Sequence, residues 1–119
     1  MKIASLIFFF LLSTNLYAGS DIHFVVIHKP GPNWQKGVDA REQPGIIEHV
    51  SYYKKFHAMG KLLIGGPFLD GTGGMMIATS DVGKEELALF ALADPAVING
   101  ILTIEVKPWL AAMKENPNE

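Results

Sequence analysis

The chain has no cysteine among its 119 residues, and that absence removes several chemistries at once. No disulfide can staple the fold, no thiolate can attack a substrate or hold zinc, and no lipid can be attached through a cysteine. Basic charge is sparse as well: ten Lys and Arg stand against twelve Asp and Glu, and the largest basic cluster is Lys54-Lys55. Nucleic-acid binders present a concentrated basic face, so no nucleic-acid partner is expected. The apolar run at residues 3–12 is about half the roughly 20 residues that a membrane-spanning helix needs. Internal repeats and low-complexity tracts are missing too.

What is present at the amino terminus reads as an export signal. Lys2 precedes the apolar run, Ser13, Thr14 and Asn15 close it, and Ala18 puts a small residue where signal peptidase cuts. The expectation is a signal peptide at residues 1–18 and one domain at 19–119, delivered to the periplasm or the extracellular space. No stable membrane insertion is expected once the signal is removed. An uncleaved anchor is the alternative, since Leu16 is bulkier than the small residue preferred two positions before the cut. Lys2 leaves with the signal, which takes the net charge from −2 to about −3. A domain of this size without disulfides has only core packing and association with another chain to offset its conformational entropy.

Residues 22–28 are β-branched and aromatic and stop at Lys29-Pro30, the pattern of a first strand. A loop rich in Pro and Gly runs to Gln43, and Pro44 suits the first turn of a helix over about 44–59. At 100° per residue, Ile46, Ile47, Val50, Tyr53 and Phe56 form one broad arc opposite Glu48, Ser51 and Lys55, and Gly60 ends the helix. Two short strands, at 61–65 and 75–79, flank a glycine-rich connection in a hairpin. Ser80 or Asp81 can cap a second helix over 84–93, which Asp94-Pro95 stops. A last strand at 101–107 alternates Leu102, Ile104 and Val106 with Thr103, Glu105 and Lys107, before Pro108 and a C-terminal turn.

The order βαββαβ predicts an α+β fold of the ferredoxin-like kind, with strands one and three central and both helices on one sheet face. Strand one is nevertheless apolar on both faces, with Phe24 and Val26 on one side and Val25 and Ile27 on the other. A second copy closing sheet to sheet is the economical cover, which predicts a homodimer.

Four histidines carry the candidate chemistry. His49 and His57 lie within or beside the apolar arc of the first helix, so both are expected to point toward the sheet. Either can be a half-buried structural histidine held by a backbone carbonyl, or a proton carrier. No metal site is expected: those two histidines stand about 80° apart on the helix, and His23 and His28 fall on opposite faces of strand one. Gly71-Thr72-Gly73-Gly74 lacks the lysine and following helix of a phosphate loop and reads as a flexible hairpin connection, with Phe68 and Asp70 beside it as candidates for a pocket mouth. Tyr53 shares the histidine arc and can donate a hydrogen bond to a ligand or serve in the core.

His49, Gly60-Lys61-Leu62-Leu63, Gly66-Pro67-Phe68, Asp94-Pro95 and Lys107-Pro108-Trp109 together resemble the YCII-related proteins over most of the mature chain. The resemblance implies a dimeric α+β barrel and an acid/base pair in its pocket, which carries over to His49 and Asp94. It sets Pro67 and Arg41 beside them as substrate-binding candidates, although Arg41 stands farther from the histidine than in compact members. Some relatives eliminate halide from chlorinated aromatic intermediates, and many have no known reaction. Asp94 also suits the N-cap of a short turn at 96–99.

The leading expectation is a cofactor-independent acid/base enzyme, isomerase- or lyase-like, acting on a small apolar or aromatic molecule, with His49 moving the proton and Asp94 orienting its ring. A non-catalytic module binding a small ligand in the same pocket is the alternative. A haem protein is a third, by analogy of fold alone.

Overall fold

The computed structural model describes residues 21–115. The expected signal segment lies outside the described residues, among which no helix is long and apolar enough to cross a membrane. Strands β1 (Ile22–Pro30), β2 (Leu62–Pro67), β3 (Gly74–Ala78) and β4 (Leu102–Leu110) form one sheet. Its strand order is β2-β3-β1-β4 and every neighbouring pair is antiparallel. Helix α1 (Ile46–Ala58) joins β1 to β2, and α2 (Lys84–Leu92) followed by the short α3 (Pro95–Ile98) joins β3 to β4.

Strand parity decides what meets the helices. In register, Phe24, Val26 and His28 of β1 share a face with Pro108, Val106 and Ile104 of β4, and Val26 with Met76 of β3. Val26 closes a core with Phe56, Ala78, Val82, Leu87 and Ala91, against which Phe24, Met76, Phe90, Ile104 and Val106 pack. Burying side chains the size of Phe56 or Leu87 contributes about 1.5–3 kcal/mol each. On the opposite face Val25 and Ile77 are buried, whereas Ile64, Met75 and Trp109 are exposed and β4 presents Thr103, Glu105 and Lys107 to solvent.

Several local expectations are corrected. Helix α1 starts at Ile46, because Gly45 adopts a left-handed conformation, φ 86°, that keeps Pro44 out of the helix. Its buried stripe is His49, Tyr53 and Phe56, while Ile47 is 74% exposed and Val50 and His57 also face outward. Ile47 lies about 160° around the helix from His49, so the broad apolar arc is wider than the sheet can cover. Gly60, at φ 75°, closes the helix as expected, with Lys61 N–H donating to Phe56 C=O at 3.2 Å. Gly83 stands at the N-cap of α2 in place of Ser80 or Asp81, and the Asp81 carboxylate instead accepts from the Thr79 hydroxyl. Strand β4 continues through Pro108, which an edge strand tolerates because a missing N–H on its outer side breaks no ladder bond.

The long loop after β1 is tied down. Gly31 N–H donates to Ile101 C=O and Asn33 N–H to Gly100 C=O, both at 2.8 Å. Trp34 packs on Ala96, Ile101 and Leu102. The buried Gln43 amide donates to the Gln35 and Val38 carbonyls and accepts from Gln35 N–H. A 3₁₀ turn, Ala40–Glu42, then leads into α1.

Candidate active site

Where the loop, the β2–β3 hairpin and the start of α1 converge, they enclose a cavity of about 110 Å³. Its wall is mostly apolar or backbone: Trp34 from the loop, Ile46 from α1, Gly66 and Pro67 from β2, Met76 from β3. Gly73 makes the close approach possible. At φ 120°, a Cβ there would stand 1.9 Å from the His28 carbonyl oxygen, so only glycine lets the hairpin loop press on the end of β1.

Two imidazoles interrupt this apolar wall, His49 from α1 and His28 from β1. Asp94 lies behind His49, fully buried, and the His49 Nδ1–H donates to Asp94 Oδ2 at 2.5 Å. The other carboxylate oxygen, Oδ1, accepts the Ala96 N–H at 2.9 Å as the N-cap of α3. The cap and the histidine partner are thus one side chain, and the cap fixes the carboxylate that orients the ring. A carboxylate only accepts, so in the neutral ring it holds the His49 proton on Nδ1 and leaves the lone pair on Nε2.

His28 is 2% exposed and its ring meets that of His49 edge-on, 5.0 Å between centroids. Its Nε2 lies 3.3 Å from the hydroxyl of the buried Tyr53. Burial, with His49 adding to it and Asp94 opposing it, lowers the His28 pKa to about 4, so the ring is neutral near pH 7. Burial and the nearby Asp94 charge push the Tyr53 phenol up, which keeps it protonated. Among the described residues no buried side-chain nitrogen or oxygen lacks a partner. The two ring nitrogens outside these hydrogen bonds, His49 Nε2 and His28 Nδ1, are therefore the accessible ones, and both rings line the cavity.

The structure brings together His49, Asp94 and Tyr53, and places Pro67 and Arg41 on the cavity wall. Arg41 is largely exposed and its guanidinium is paired with Asp39, Nε to Oδ1 at 3.1 Å. Phe68 and Asp70 are not brought to the cavity wall. Asp70 turns back within the hairpin loop, where its carboxylate accepts from Thr72 N–H at 3.0 Å, because a short acidic side chain in a turn is satisfied by the backbone two residues on. The sequence pattern considers His28 only as a metal ligand beside His23. The parity of His28 with Phe24 and Val26, the apolar residues that face the helices, is the signal that points to it.

His28, His49 and Asp94 each offer one potential ligand atom within 4.8 Å of the others. His49 Nδ1 and Asp94 Oδ2, hydrogen-bonded at 2.5 Å, stand closer than the roughly 3.3 Å between two ligands of one zinc ion, so as arranged those two atoms do not serve one ion together.

Fold and cavity together define the class: an α+β domain with a buried carboxylate–histidine pair opening on a small apolar cavity. Over 67 residues, 56% of this chain and 78% of its counterpart, the sequence is 33% identical to the uncharacterized protein YjpA of Bacillus subtilis (strain 168), and the chain belongs to the family of that protein. No family model matches the chain.

Proposed function

We propose that this protein is a cofactor-independent acid/base enzyme of the isomerase or lyase kind, in which His49 Nε2 takes a proton from a small, partly apolar or aromatic substrate. The observation that carries the reading is the Asp94–His49 hydrogen bond set in the wall of an otherwise apolar cavity. Asp94 stabilises the imidazolium formed when the proton arrives, and the low-polarity surroundings strengthen that attraction. A cavity of about 110 Å³ suits a molecule of a few heavy atoms, or one aromatic ring entering from the Arg41 side.

Strand order and connections are those of a ferredoxin-like unit, and the His49–Asp94 contact with Gly66-Pro67 beside it supports the YCII-related assignment. Exposed Ile64, Met75 and Trp109 on the outer sheet face support a homodimer closed face to face. A monomeric mass by light scattering at micromolar concentration would overturn that pairing. The amino-terminal pattern supports export, which intact mass of the secreted or periplasmic fraction checks.

The enzyme reading is tested by solvent deuterium exchange. Phenols, quinones, lactones and phenylpyruvate are incubated in D₂O with the protein, with His49→Ala and with Asp94→Asn. The expected result is exchange or turnover of at least one compound, reduced about 100-fold or more in His49→Ala and roughly 10-fold or more in Asp94→Asn. Binding that protects the fold but is indifferent to the imidazole, with no exchange, would instead favour a binding module.

A further inference from the structure

The cavity wall holds one more group whose protonation the surrounding hydrogen bonds decide. The hydroxyl of Tyr53 is buried, and its hydrogen bond is to His28 Nε2 at 3.3 Å. If Nε2 carried the His28 proton and donated to that hydroxyl, the phenolic proton would be left without an acceptor inside the protein, an unfavourable outcome for a buried donor. Tyr53 O–H therefore donates to Nε2, and the proton of the neutral His28 ring sits on Nδ1. That is the nitrogen open to the cavity. On the other ring Asp94 imposes the opposite arrangement at the cavity: Nδ1–H is used, and Nε2 is a free acceptor.

We infer that His28 is a second catalytic residue, whose Nδ1–H donates a hydrogen bond to a substrate oxygen while His49 Nε2 removes a proton from the adjoining carbon, so that the substrate is a small carbonyl compound with an acidic C–H next to the carbonyl. This rests on the reading of His49 as the base. The two rings, 5.0 Å apart and edge-on, present a donor and an acceptor to one cavity, which is the pair of contacts an enolising carbonyl requires. In the step, the C–H electron pair becomes the C=C bond, the carbonyl π pair moves onto oxygen, and the proton goes to His49 Nε2. The enolate oxygen accepts from His28 Nδ1–H without taking its proton. Return of the proton from His49 to either end of the enolate regenerates the base and completes a proton shift with nothing consumed. A neutral donor suits this role because it stabilises the oxyanion while leaving the nearby His49 free of a competing positive charge. The titratable groups facing His28 are Tyr53 and His49 from α1 and Asp94 from the α2–α3 turn, and the lowered His28 pKa agrees with burial and with the influence of His49 and Asp94.

The test has two arms. Long-range ¹⁵N–¹H spectra of the histidine rings in the purified protein at pH 7.5 should show His28 protonated at Nδ1, and Tyr53→Phe should move the proton toward Nε2. 4-Nitrophenolate, an enolate mimic, should bind the protein and bind His28→Phe at least 10-fold more weakly, with His28→Gln, which keeps a side-chain donor, recovering part of the loss. A His28 proton on Nε2 in the unmodified protein, or equal phenolate affinity with and without the imidazole, would overturn the inference, and the tautomer arm still decides if His28→Phe does not fold. Phenylpyruvate exchange separates this from the underlying reading. Loss in His49→Ala with none in His28→Phe overturns the role of His28 alone, and His28-dependent phenolate binding without exchange overturns the base alone.

Discussion

At one end of the layer between helices and sheet, Val26, Phe56, Leu87 and Ala91 close on one another, and Phe90 stacks on Phe56 at 4.2 Å between centroids. Two residues further along the same strand Val26 gives way to His28, and one to two turns back along the same helix Phe56 gives way to Tyr53 and His49. The two ends share strands, helix and degree of burial, yet one is held by apolar contact and the other by a chain of hydrogen bonds ending at a cavity. The difference lies in what removal costs. A missing methyl group leaves a void, whereas a missing polar partner leaves another buried polar group unsatisfied.

The sharpest way to separate the ends is to empty the apolar one. Phe56→Ala should destabilise by about 3–5 kcal/mol in urea titration while the His49 tautomer in ¹⁵N spectra is unchanged, because the hydrogen bonds lie beyond the void. Acid should act on the polar end alone. The folded pKa of His28 is about 4, below the ordinary 6.5, so the unfolded chain binds the extra proton between those values. The contribution is fully present above about pH 6.5 and falls away as pH drops toward 4, on the order of 3 kcal/mol in all. His28→Phe should flatten the pH dependence of urea midpoints in that window, and an unchanged slope would count against a neutral buried His28. The smallest effect belongs to His57, which lies outside both ends. His57→Ala should change stability by less than about 0.5 kcal/mol, since that side chain is exposed on α1.

Much of this division was legible in the residues, because periodicity reports directly which side of an element is dry. Alternation along β4 and the breaks at Gly60 and Asp94-Pro95 placed strands and helices within a few residues, and His49 and Asp94 stood out through motif resemblance. Periodicity misled where apolar residues outnumber the area available to bury them: Ile47 and Val50 read as core, yet face solvent, and His57 followed them. The sequence pattern pairs His28 only with His23 on its own strand, whereas its partners in space, Tyr53 and His49, come from α1. Nearness in sequence to glycines suggests Phe68 and Asp70 for a pocket mouth, but it does not fix where a turn points.

The sequence by itself determined the α+β element order, the poverty of basic charge and thiols, and the parity by which β1 turns Phe24, Val26 and His28 to one side, because these follow from local backbone geometry and composition. Only the tertiary structure decided that the cap of α3 is also the partner of His49, and that Tyr53 determines which His28 nitrogen carries the proton. Those contacts join residues 45 and 25 positions apart, and hydrogen-bond partners at such separations are chosen by how the helices settle on the sheet, which no local pattern encodes.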